Sequence, residues 1–274
     1  MVRFLFVSLA IACAACAPSL STFQPAHVAP RGHLQAGAGL DLALPLGTIV
    51  KATDAAKALV DSSRSRELTS EEKLKIYDGG VNLATNPPSL GPHLGVAYVP
   101  IDNLDVSLRY ASSAWRLGTR YQILHRDDSP FDMTAGIGIS RFTYEFPVSD
   151  QIPVLEIEDF RRWQLDVPIL IGTARDWMRV WGGPKFAYTW FDTALSLKLD
   201  FVHTTEVAEF HGQGAYVGGQ AGFAVGWKYV FAAFELTIAE FFGRAKTTIA
   251  DGSERTTDLA GLIVHPSAGI LAEF

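Results

Sequence analysis

The run Leu104-Asp105-Val106-Ser107-Leu108-Arg109-Tyr110 alternates apolar and polar side chains without a break. Successive side chains of a strand point to opposite faces. Leu104, Val106, Leu108 and Tyr110 therefore share one face, and Asp105, Ser107 and Arg109 the other. Trp115 to Ile123 repeats the pattern, setting Trp115, Leu117, Tyr121 and Ile123 against Arg116, Gly118, Arg120 and Gln122. Phe131 to Ile139 alternates in the same way. In Trp163 to Ile171, Trp163, Leu165, Val167, Ile169 and Ile171 oppose Gln164, Asp166 and Pro168.

Carried along the chain, this reading predicts ten strands, near 32–45, 91–100, 103–112, 114–124, 130–146, 160–173, 177–192, 212–227, 229–242 and 258–274. The even-numbered connections (101–102, 125–129, 174–176, 228) are all short. Four of the five odd-numbered ones (46–90, 147–159, 193–211, 243–257) are long, and only that at 113 is tight. An up-and-down meander puts odd connections at one end and even ones at the other. Short turns at one end and long loops at the other are a property of transmembrane barrels; a soluble sandwich has no reason to sort loop lengths by parity.

Composition agrees. Of 274 residues 48% are apolar and 19% charged, with 24 glycines and a net charge of −6. The charged fraction is below the roughly 25% of an ordinary soluble domain. The apolar content excludes a disordered chain, and the charge offers no basic field for nucleic acid. No run approaches the 18 apolar residues of a membrane helix. Tyr110, Trp115, Trp163 and Trp190 fall at the long-loop ends of their strands, and Phe131, Trp177, Trp227 and Phe274 at the short-turn ends. Two aromatic belts at opposite strand ends are what amphipathic rings form at two membrane interfaces.

The last strand sets Leu262, Val264, Ala268, Ile270, Ala272 and Phe274 on one face and ends on an aromatic. This resembles the terminal strand of Gram-negative bacterial outer-membrane proteins. The resemblance implies an all-β, up-and-down antiparallel transmembrane barrel of about ten strands over 32–274. It also implies location in the bacterial outer membrane, contact with outer-membrane lipid, and recognition of the Phe274 strand by the barrel assembly machinery. Pro266 on the same face cannot donate to a ladder, so a bulge or locally broken pairing is expected there.

Met1-Val2-Arg3, apolar Phe4 to Ala15 and the small residues that follow make a secretory signal. Ile11-Ala12-Cys13-Ala14-Ala15-Cys16-Ala17 resembles the lipobox of bacterial lipoproteins, with Cys13 where Leu is usual. That resemblance implies a signal peptide over 1–15 and a diacylglyceryl group on Cys16. Acylation of Cys13, or plain cleavage near Ala17, are the alternatives. As Cys13 and Cys16 are the only cysteines, the body has no disulfide and no thiolate metal site. Residues 16–31, with Pro25 and Pro30, read as an extended periplasmic lead-in.

With the apolar face outward, the polar face fills the lumen. Asp105, Asp132, Asp166 and Glu235 then meet Arg109, Arg116, Arg120 and Lys185 inside. Unpaired charges in so narrow a space are costly, so they are expected to pair. Trp181 and Phe231 also point inward, as do His93 and His265. Balanced charge argues against strong ion selectivity.

The 46–90 connection, with helical spacing in Ala52, Ala55, Ala56 and Leu59, is expected to cap the barrel mouth and could contact an extracellular partner. Thr69-Ser70-Glu71-Glu72 matches a capping box, predicting a helix Ser70–Tyr77 stopped by Asp78-Gly79-Gly80. His203, His211, Asp192, Asp200, Glu206 and Glu209 gather in or beside 193–211, but no Gly-x-Ser-x-Gly motif or metal-ligand spacing accompanies them. No cofactor or metal is expected. A structural or surface-interaction role with a charge-plugged lumen is the leading expectation. A narrow diffusion channel is the second, and a hydrolase or acyl-modifying enzyme at the loop end the third.

Overall fold

The computed structural model describes residues 18–62, 70–142, 155–199, 204–249 and 254–274. Ten antiparallel strands pair in chain order and the last closes on the first, making an up-and-down barrel. They are β1 (Leu34–Pro45), β2 (Ser89–Ile101), β3 (Leu104–Ala111), β4 (Ala114–Leu124), β5 (Asp132–Phe142), β6 (Leu155–Arg175), β7 (Met178–Leu199), β8 (Thr204–Trp227), β9 (Val230–Ile249) and β10 (Glu254–Glu273). Helices α1 (Leu46–Ser62) and α2 (Ser70–Thr85) lie between β1 and β2. Among the described residues no helix is long and apolar enough to cross a membrane, which says nothing of strands.

The alternation expected from the sequence sets the two faces. On β4, Trp115, Leu117, Tyr121 and Ile123 are about half exposed, while Arg120 and Gln122 are buried. The seam pairs Gln35 with Glu273 and Leu40 with Ala268. Pro266 makes no bulge, since β10 keeps its register against β9 through Pro266↔Leu236. On the other side the β1 ladder is interrupted between Asp41↔Ser267 and Leu44↔Val264, opposite the missing N–H.

The wall is uneven. β2 to β5 have 8 to 13 residues, whereas β6 to β10 have 20 to 24. The connections expected at 193–211 and 243–257 are therefore mostly strand, leaving only 200–203 and 250–253 between elements. The cause is local: Thr204, Thr205, Thr247, Thr248, Thr256 and Thr257 are β-branched residues that suit a pleated ladder. They pair up to Leu199↔Thr204 and Glu254↔Thr248. At the low rim, the β3–β4 turn is Ser112-Ser113, both with positive φ (47° and 68°), the left-handed pair a two-residue hairpin requires.

Helix α2 does not stop at Asp78-Gly79-Gly80 but runs on to Thr85. A Cβ at Gly79 would stand 2.6 Å from that of Ala55, so the glycine allows α1 and α2 to touch. Burial of Val81, Leu83 and Ala84 behind it outweighs the roughly 1 kcal/mol that each glycine costs a helix. The hairpin hangs on the tall wall: Thr257 donates to Asp78 at 2.8 Å, and Lys51 donates to the Asp258 carbonyl. The capping-box residue Thr69, like the leader 1–15, Cys13 and Cys16, lies outside the described residues.

Candidate functional site: the barrel interior

The largest departure from the sequence reading is the path of residues 18–31, which do not wait outside as a lead-in. They run lengthwise through the barrel, and Leu20, Ser21, Thr22, Phe23, Ala26, Val28 and Ala29 are all buried. Ser19 donates to Asp41 at 2.6 Å, and Arg109 donates to the Ser21 carbonyl. Lower down, Arg120 donates to the Pro25 carbonyl at 2.7 Å, and the Val28 N–H donates to Gln122 at 2.8 Å. Phe23 and Ala26 join Leu170, Trp181, Ala224, Phe231, Ala233 and Leu271 in an apolar cluster near the even-turn end. The sequence reason is plain in hindsight. Pro18 to Pro30 carries no Asp, Glu, Lys or Arg, so it brings backbone polar groups into the interior without new fixed charge.

These backbone groups change how the interior charges are satisfied. Arg120 pairs with Asp105 at 2.5 Å, both fully buried, and Arg116 grips Asp166 with two bonds of 2.7 and 2.8 Å. Arg109 pairs instead with Asp41 at 2.9 Å. Asp41 also holds His93 Nδ1 at 2.7 Å, with the ring of Phe23 against the imidazole. Glu235 makes no ion pair among the described residues. It accepts from the Ser21 hydroxyl, the Thr22 and Phe23 N–H groups and Trp181 Nε1, at 2.7 to 3.2 Å. Asp132 accepts from Gln122 and the Arg126 N–H. Lys185 is buried near Asp166 and Glu235, without an ion pair among the described residues. Of the eight interior charges expected to pair with one another, Arg120 lies on Asp105 and Arg116 on Asp166. Of the other four residues, Arg109 pairs with Asp41, and Asp132, Glu235 and Lys185 form no ion pair among the described residues.

Asp41, Arg162, Arg179 and Glu273 were missed by the sequence reading. Strand alternation carried through Gly37, Gly39 and Asp41 would have found the first. Arg162 seals the upper interior by donating to Thr189 (2.8 Å), to the Thr85 carbonyl and to Tyr216 (both 2.5 Å), while Tyr216 donates to Asn86. Arg179 pairs with Glu273 at 2.8 Å and sits on the Phe231 ring at the opposite end. His265 is buried beside this interior.

A Cβ at Gly138 would be driven into the Arg116 guanidinium. Gly138→Ala is expected to loosen the Arg116–Asp166 grip and destabilise the barrel by about 1–3 kcal/mol. Gly219→Ala, where a Cβ meets only a carbonyl at 3.7 Å, should change it by less than about 0.5 kcal/mol. Urea unfolding of both variants in detergent checks the contrast, and equal losses would refute it.

The outer surface changes character on one rung. Going up β8, the outward row Trp227, Val225, Phe223, Ala221, Gly219, Val217 and Ala215 gives way to Gln213 and His211. On β7 the row ends at Tyr188 and Trp190 before Asp192. Asp192, His211 and Lys246 stand side by side, and Asp192 and His211 pair at 2.6 Å in the open. Tyr110 packs on Trp115 at 5.0 Å, and Tyr229 stacks on Phe274 at 6.3 Å. Trp163 is half-buried under Arg141, and Phe131, Trp177 and Trp227 stand outward at the lower rim. Of the expected histidine–carboxylate cluster, Asp200 and His203 lie outside the described residues. Asp192, Glu206, Glu209 and His211 belong to strands.

Fold and site together define a closed ten-strand barrel with an apolar exterior and an interior occupied by its own N-terminal segment. No protein-family model matches the chain, and no curated protein does. Among solved structures it is similar to a major outer membrane protein from Thermus thermophilus, with 10% identity and a TM-score of 0.32 over 59% of this chain and 92% of that one.

Proposed function

We propose that the chain is a bacterial outer-membrane barrel with a structural or surface-interaction role and a lumen that does not conduct. The observation that carries this reading is the occupied interior: residues 18–31 fill it below and beside the short wall, and the end of α2 with Asn86 fills it above. A residual cavity beside Phe23, His93 and Arg109 measures about 30 Å³, room for one or two waters. The membrane part of the proposal is supported by the outward apolar row 215–227. Its 13 residues exceed the about 9–11 that a tilted strand needs to cross a membrane, and the aromatic belts lie toward its two edges. In this reading Cys16 carries the lipid, the Phe274 strand is what the assembly machinery reads, and the 46–90 hairpin is the face offered to an extracellular partner. No catalytic role, cofactor or metal is assigned.

The test is single-channel recording of the refolded protein in a planar bilayer. Folded barrels that stay silent support the reading. Steady, reproducible openings would replace it with a narrow diffusion channel.

A further inference from the structure

The path of residues 18–31 has a direction, and the direction can be read from the heights of its partners. Ser19 bonds Asp41, four residues short of the odd-turn end of β1. Ser21 meets Arg109, two residues short of the end of β3 at that same end. Glu235, which holds Thr22 and Phe23, is five residues from the even-turn end of β9. Pro25 meets Arg120, four from the even-turn end of β4, and Val28 meets Gln122, two from it. Finally the Gly32 N–H donates to the Val99 carbonyl, and His27 contacts Glu273, the last residue of β10. The segment therefore descends from the odd-turn end to the even-turn end, and only then does β1 climb back.

Pro18 is buried at the top of this descent, and the next residue, Ser19, lies among Ala111, Ala114, Ser140 and Phe142 of the short wall. The way back down is filled by the segment itself, and the tall-wall side by Arg162, Tyr216 and Asn86.

We infer that residues 18–31 are threaded downward from the odd-turn end, so that Pro18, beside the low rim of β3 to β5, is the end of the segment presented toward the odd-turn face. On the outer-membrane reading, on which this inference rests, that face is the cell surface. The low rim carries Tyr110 and Trp115 on its outer side, a ring pair of the kind that sits at headgroup level.

The test places one epitope at three positions in separate full-length chains: between Ala17 and Pro18, in the 250–253 connection, and in the turn at Asp127-Asp128. Cells are stained intact and after outer-membrane permeabilisation, and each barrel is first shown to be folded by its heat-modifiable gel mobility. The inference expects the 17/18 and 250–253 epitopes to stain in intact cells at least tenfold above the 127/128 epitope. A 17/18 epitope that appears only on permeabilisation, together with the 127/128 one, overturns the threading direction while leaving the membrane reading intact. If the 250–253 and 127/128 epitopes do not separate, the membrane reading fails and this inference with it. Should the insertion at 17/18 block folding, Ala17→Cys with a membrane-impermeant maleimide gives the same readout, with the same outcomes for and against.

Discussion

An in-frame deletion of residues 18–31 is expected to turn a silent barrel into one that conducts. The segment fills the interior beside the short wall, whereas the α1–α2 hairpin is anchored on the tall wall through Asp78, Lys51 and Asn86. Removing the first therefore opens a continuous path past Arg109, Arg116, Arg120 and Glu235 without disturbing the second. Water entering that path resolvates Glu235, which loses its Ser21, Thr22 and Phe23 donors, so the deletion need not leave a dry, unpaired charge. Planar-bilayer recording of the deleted barrel beside the full one reads the change as steady openings against none. A deleted barrel that runs as folded on a gel yet stays silent would show that side chains alone close the lumen.

Asp105→Ala should produce the largest loss of stability of any single interior substitution considered. Asp105 and Arg120 are both fully buried and 2.5 Å apart. Taking away the carboxylate leaves a guanidinium held only by the Pro25 carbonyl and, at 3.4 Å, by Gln35. Breaking one partner of a buried pair costs about 3–5 kcal/mol, whereas replacing both partners by packed apolar side chains is often close to neutral. The double variant Asp105→Leu, Arg120→Met is therefore expected to be more stable than Asp105→Ala, despite carrying two changes. Urea unfolding in detergent micelles measures all three. A cost below about 1 kcal/mol for Asp105→Ala would mean that water reaches Arg120 and that the interior is not as dry as its burial indicates.

The wall of the barrel was legible from the sequence because strand alternation is local: the faces of 104–110, 115–123 and 163–171 can be read without knowing what each strand pairs with. The upper halves of β7 to β10 were not. Their threonine-rich ladders lie beyond the apolar exterior, so the outward side chains turn polar at Asp192, His211 and Lys246 and imitate loops. The same loss of contrast hid the true end of α2, where Gly79 and Gly80 look like a stop. Their role is set by Ala55 on another helix, which no local rule sees. Parity assigns the interior charges a face, but their partners depend on residues 18–31, whose polar contacts are mostly backbone. A backbone donor such as the Thr22 N–H leaves no mark in the sequence, which is why Glu235 was expected to face a cation.

The descending N-terminal segment also constrains the order of events by which such a molecule can form. It is continuous with β1 at the foot of the barrel, and β1 is one side of the seam that closes on β10. Its far end, at Pro18, lies toward the opposite rim, and an interior whose residual cavities measure about 30 and about 20 Å³ leaves no room to draw the segment through a finished ring. The ring must then be sealed around the axle: the segment is laid down first, and the last ladder of hydrogen bonds locks it in. Once sealed, the two parts separate only by unzipping that seam, so their association would persist for as long as the seam does, whatever the strength of the contacts between them.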